Sequence, residues 1–258
     1  MPHARMRIMY RALVEVRALS RRRGMLALPR GLEACWVAPL IDLHADDLVS
    51  DTHAGDLLAY IRSAGLRPPA RGPSLRQLRT VIGSGKSRRP PPLPSHAPAS
   101  SGADRLLGAA GMAVAAKALK PGSAVIAFAQ REELTTADWS RVLTFSAAQA
   151  LPLIVVVLGS LSQQAGAAEL QQAARKAGLA SPPPSIRVDA GDAVALYRVA
   201  QESLLRVRTD GGPVVIDCVP TGRDSIALLG KQLLGRGICT RSWLIRVEKT
   251  VADLIARV

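Results

Sequence analysis

Between residues 7 and 28 apolar side chains recur at helical spacing, Met9, Leu13, Val16 and Leu19, with Arg11, Glu15, Arg17 and Arg21 to Arg23 between them. A period near 3.6 predicts an amphipathic helix, and cations in its last turn sit at the negative end of the helix dipole. Pro29-Arg30-Gly31 breaks that pattern, and 32–43 reads as a second helix. Asp46 to His53 is a short extended or turn segment before a helix over 55–64. The pattern changes at 103–160. Residues 103–120 form a helix rich in Ala and Gly, able to lie close to a sheet, and Pro121-Gly122 stops it. Two runs, 123–129 and 151–158, are apolar without alternation, with a helix between them. Strands lacking a polar face belong to parallel sheets buried on both sides.

The remainder continues the alternation. A helix is expected over 165–177, a strand over 185–188, and a helix from the Gly191-Asp192 cap to about Val207. Gly211-Gly212-Pro213 then leads into a strand over 214–219, followed by helices over 225–234 and 241–258. Strands alternating with helices predict an α/β fold of three layers, α/β/α, with a mostly parallel sheet and right-handed crossovers. In such sheets ligands bind beyond the carboxyl ends of the strands. A site is therefore expected just after Ala129 and just after Leu158.

A length of 258 residues suits a single domain. One stretch departs from the rest: residues 57–103 hold eight prolines and eight Lys or Arg with no acidic residue. Proline removes backbone donors and like charges repel, so 66–102 is expected to be a flexible Pro/Arg-rich loop within that domain. Of the 34 basic residues 28 are arginine, and the formal charge is +14. Charge of this kind bears on polyanion affinity as well as on solubility, and residues 62–89 are the candidate for it. Only eight residues are aromatic, which argues against a stacking platform, so nucleic acid is not the expected partner. Cys35, Cys218 and Cys239 are too few and too dispersed for a disulfide framework or zinc site and fit a reducing, cytoplasmic compartment. No apolar run reaches the length of a membrane span.

Local motifs add little chemistry. Gly83-Ser84-Gly85-Lys86-Ser87 resembles part of a phosphate loop, but the leading glycine is replaced by Thr80 and the segment runs into polyproline instead of a helix. His44 and His96 have no acidic or nucleophilic neighbour at motif spacing and read as loop or surface residues. Trp36, Trp139 and Trp243 fall in helices and read as packing residues.

Element order and residues together resemble a known family. Tyr10-Arg11-Ala12-Leu13-Val14 with Arg17, Gly31-Leu32-Glu33-Ala34, Asp46-Asp47 with Thr52 and Gly55, and Ala109-Ala110-Gly111-Met112-Ala113 follow one another in order. Leu151-Pro152-Leu153-Ile154, Val188-Asp189-Ala190, Gly212-Pro213 and Asp224-Ser225-Ile226 with Gly237 continue the series. The chain resembles the α subunit of the thiamine diphosphate-dependent E1 component of 2-oxo acid dehydrogenases of the pyruvate and branched-chain type. The resemblance implies the thiamine diphosphate-binding fold, and a cofactor held through Mg²⁺ between an α and a β chain.

The implied ligand positions are altered. The family's Gly-Asp-Gly turn, which supplies a carboxylate to the metal, is occupied by Gln130, Arg131 and Glu132. Its Glu-Asn-Asn run, which supplies an amide oxygen, is occupied by Leu158, Gly159 and Ser160. Its Tyr-Arg pair on the diphosphate reads His53 and Ala54, and its Gly-His-Ser loop is missing, since Arg223 runs directly into Asp224. Mg²⁺ requires hard oxygen donors, and a guanidinium offers none. The expectation is a shortened, degenerate E1α-like subunit, a pseudoenzyme with no catalytic residue, no metal site and no cofactor. It would act structurally or in regulation, as a hetero-oligomer with an E1β-type subunit or as a homodimer. Arg131 is expected to face solvent or to pair with Glu132, Glu133 or Asp138. The alternatives are an active decarboxylating oxidoreductase subunit that binds thiamine diphosphate and Mg²⁺ through an altered grip, and a polyanion-binding protein.

Overall fold

The computed structural model describes residues 1–21, 31–50, 61, 101–159, 172, 175, 178 and 183–257. Among the described residues five strands build one sheet: β1 (Leu48–Ser50), β2 (Val125–Gln130), β3 (Leu153–Leu158), β4 (Ser185–Asp189) and β5 (Val214–Val219). Their spatial order is β1-β2-β3-β5-β4, and every neighbouring pair is parallel. Register follows the pleat: Ile126 lies beside Ile154, and Ile154 beside Val214. Alternate residues therefore serve opposite layers.

One layer receives Ile126, Phe128, Ile154, Val156, Val214, Ile216 and Cys218. The described helices on it are α1 (His3–Ser20), α2 (Glu33–Leu40), α5 (Ala193–Arg208), α6 (Ser225–Gly235) and α7 (Arg241–Ala256). The other receives Val125, Ala127, Ala129, Leu153, Val155 and Val157, covered by α3 (Gly102–Leu119) and α4 (Thr136–Ala148). Every residue of β3 is buried, as its unbroken apolar run requires. Ala109, Ala110, Ala113 and Ala116 form the buried stripe of α3, where small side chains bring the helix onto the sheet. Trp36 stacks on Phe128 with ring centroids 4.5 Å apart and serves packing, as does buried Trp139.

Helix ends differ from their expected places. The first helix ends at Ser20 with Arg21 as its cap, so Arg17 is the cation in its last turn. The second is shorter than 32–43, ending at Leu40 before a turn. Asp47 explains where the chain goes next. Fully buried, it accepts from His44 N at 2.7 Å and Ala124 N at 2.8 Å, and pairs with Arg208 at 2.5 Å. It thereby ties the entry of β1 to the entry of β2 and the end of α5. The Pro/Arg-rich segment 66–102 falls almost wholly outside the described residues, as do the expected helix over 55–64 and most of that over 165–177.

A second polar knot joins α1, α2 and α6. Glu33 is 1% exposed and accepts from Arg17 Nε at 2.6 Å, Gly31 N at 3.0 Å and Ser225 Oγ at 2.9 Å. Arg17 also donates to Asp224 Oδ2 at 2.7 Å. Burial opposes its charge, but the bonds to Glu33 and Asp224 prevail and raise its pKa further. Gly31 has φ +91°, and a Cβ there would lie 2.7 Å from the Arg223 carbonyl oxygen. Only glycine fits both conditions.

Candidate functional site

The carboxyl ends of β2, β3, β5 and β4 lie side by side and mark the edge at which sheets of this topology offer a crevice, where the described site positions fall. Gln130 closes β2 and is exposed; Arg131 and Glu132 follow in a 3₁₀ turn, Arg131–Glu133. Gly159 directly follows β3. His53, Ala54, Ser160 and His96 lie outside the described residues. His44 is exposed, as expected of a loop histidine.

Arg131 is placed otherwise than expected. Its Nη2 donates to Oδ1 of Asp217 on β5, not to Glu132, Glu133 or Asp138, and its side chain is not turned to solvent. Asp217 is 1% exposed, and its neighbour in register on β4, Arg187, brings Nε to 3.7 Å of Oδ2. A carboxylate in that position is far from water and needs a cation, which selects the guanidinium over solvent. Two of the alternative carboxylates are held elsewhere: Glu133 takes Arg105 of α3, and Asp138 forms a capping box with Thr135 at the start of α4. The bonds from Thr135 hold Asp138 below the usual carboxylate range.

Arg131 passes close to the backbone of the neighbouring strand end. A Cβ on Gly159 would lie 3.7 Å from Arg131 Nε and 3.6 Å from the Cys218 carbonyl oxygen, an ordinary contact. On the β4 side, Asp189 accepts from Gly191 N at 2.8 Å and Thr221 Oγ1 at 2.7 Å, and pairs with Arg223 at 3.2 Å. Its carboxylate is thereby joined to the turn between β4 and α5 and to the loop after β5. Under the crevice, Cys35 donates to the Ala190 carbonyl at 3.7 Å, and contact with the Cys218 thiol together with burial raises its pKa. Both thiols are fully buried and free, so they behave as small apolar groups.

Among the described residues no group of three or more His, Cys, Asp or Glu is placed to hold a metal ion. Nor is any described helix long and apolar enough to cross a membrane. Sequence reasoning missed Asp217, which it read only as part of a strand. The available signal was one acidic residue in the otherwise apolar run Val214-Val215-Ile216-Asp217-Cys218-Val219.

Comparison with known proteins agrees with the fold. Over 268 aligned residues, 90% of this chain and 78% of the relative, the chain is 25% identical to the alpha subunit of acetoin:2,6-dichlorophenolindophenol oxidoreductase from Cupriavidus necator. Residues 3–223 match the family described as Dehydrogenase E1 component. That match takes in the five strands of the sheet and both sides of the crevice, and the chain belongs to the dehydrogenase E1 component family as an alpha-like member.

Proposed function

We propose that this chain is an E1α-like subunit that does not bind thiamine diphosphate and Mg²⁺ by the family's route and works as a structural or regulatory subunit beside a β-type chain. The observation that carries this reading is the bond from Arg131 to Asp217 across the strand ends. At the place of the metal carboxylate stands a guanidinium, and the adjacent carboxylate of Asp217 is taken by it. Gln130 and Glu132, on either side, are exposed. This donor set does not fit a dication that must itself neutralise a diphosphate, because the first charge it would meet is positive. A β-type partner is supported by the relative, which is named as the alpha subunit of its oxidoreductase.

The test is isothermal titration of the purified chain with thiamine diphosphate in the presence of Mg²⁺. No heat at millimolar cofactor is the expected result. Micromolar binding would overturn the reading and support the second one, an active decarboxylating E1 subunit with an altered diphosphate grip. That second reading is favoured by the relative's being named as a subunit of an oxidoreductase.

A further inference from the structure

Residues 224–258 lie beyond the stretch that matches the family, and they form α6 and α7. Within 225–258 there are six Lys or Arg and two acidic residues. A groove of about 790 Å³ runs between these two helices and α1. Its apolar lining includes Ile226 and Leu244, with Leu234 and Ile245 left 38% and 59% exposed. The two carboxylates in the lining are engaged: Asp224 accepts from Arg17, and Glu248 accepts from Tyr10 OH at 2.7 Å. Burial and that bond to Glu248 raise the Tyr10 pKa, so the phenol remains a donor. Lys231 and Arg241 also line the groove, both exposed, and neither is in an ion pair with another described residue.

We propose that this groove docks an acidic amphipathic helix of a partner protein. The apolar face of that helix lies on Leu234 and Ile245, over the buried Leu244, and its carboxylates meet Lys231 and Arg241. An apolar channel between two helices takes a third helix through anchors at i, i+3, i+4 and i+7 spacing. The surplus of positive charge on α6 and α7 steers an acidic chain toward it and disfavours a basic one. Nucleic acid suits it less. The lining contains carboxylates, and Tyr10, 2% exposed, offers no face for a base. This inference is independent of whether the crevice binds cofactor.

Fluorescence anisotropy of the full chain tests it, with a labelled peptide carrying Leu at i, i+3, i+4 and i+7 and Glu elsewhere. A scrambled peptide of the same composition and vesicles of phosphatidylcholine with phosphatidylglycerol are the comparisons. The expected result is micromolar binding of the amphipathic peptide. Lys231→Glu with Arg241→Glu, or Ile245→Glu alone, should weaken it by about tenfold, while Arg198→Glu on the exposed side of α5 should change it by less than about twofold. The altered side chains are exposed, and circular dichroism melts verify that each variant is folded. Equal binding of the scrambled peptide, unchanged affinity in the groove variants, binding to the vesicles alone, or no peptide binding would each overturn the proposal.

Discussion

Arg131, in the turn that follows β2, reaches past the end of β3 and donates to the buried carboxylate of Asp217 on β5. The two residues are 86 positions apart in the chain. Their pairing puts a protein cation across the ends of three adjacent strands, in the crevice where a sheet of this topology offers a ligand site. The pair meets the local requirement of a buried acid and is the feature on which the proposed reading of this crevice rests.

Breaking the pair from one side should be costly. Arg131→Met leaves Asp217 with only Arg187, whose Nε is 3.7 Å away, and should destabilise the protein by roughly 3–5 kcal/mol. Adding Asp217→Leu should restore most of that loss, because a buried ion pair and apolar groups of similar volume are nearly equivalent in stability. Urea denaturation of the parent, both single variants and the double variant measures the coupling. A double variant as unstable as the sum of the singles would show that the two residues act independently.

Arg131→Asp should convert the crevice from cationic to anionic, leaving carboxylates at positions 131 and 217 at the ends of β2 and β5 with no guanidinium between them. Two carboxylates repel unless a proton or a cation lies between them. Thermal melts with and without Mg²⁺ or Mn²⁺ should therefore show stabilisation of the variant and none of the parent. A parent that gains as much from the dication as the variant would refute the placement of the effect at Arg131.

Gly31→Ala should destabilise the protein by roughly 1–3 kcal/mol. The backbone there has φ +91°, and the added methyl meets the Arg223 carbonyl at 2.7 Å. Chemical denaturation gives the value. Unaltered stability would mean that the loop after β5 moves aside at no cost.

Asp224 should contribute to acid sensitivity. Burial, the largest influence on its pKa, acts to raise it, but the bond from Arg17 and those from Ile226 N and Ala227 N outweigh it and hold the carboxyl below its ordinary 3.8. The folded state thus binds the proton more weakly than the unfolded chain. Its contribution is complete above the unfolded pKa and is lost as pH falls through the lowered folded value. Denaturation across that acid range should show a steeper loss of stability in the parent than in Asp224→Asn. Equal slopes would rule the linkage out.

Much of the fold was legible because it rests on local patterns. The unbroken apolar run at 151–158 has no polar face, so it could only be a strand covered on both sides, and all six residues of β3 are buried. Asp192 and Asp224 cap α5 and α6 through their own side chains, within a few residues of where they stand in the chain. The order of elements and the residues at 31–34, 109–113 and 151–154 were enough to place the chain in its family. Helix ends were less legible. Whether 41–43 continues a helix depends on Asp47, whose partners Ala124 and Arg208 come from distant parts of the chain.

The candidate site divides in the same way. That a guanidinium stands directly after β2 is a matter of residue identity, and the sequence alone determined it. Which acid that guanidinium would choose was not. Glu132, Glu133 and Asp138 are near Arg131 in the chain, but chain proximity is no measure of electrostatic need: Glu133 is paired with Arg105 and Asp138 caps a helix. Asp217 becomes available only once the strand order β2-β3-β5 brings its strand within reach and the layers on both faces remove water from it. Tertiary structure made that choice, because the free energy of a buried charge depends on everything packed around it.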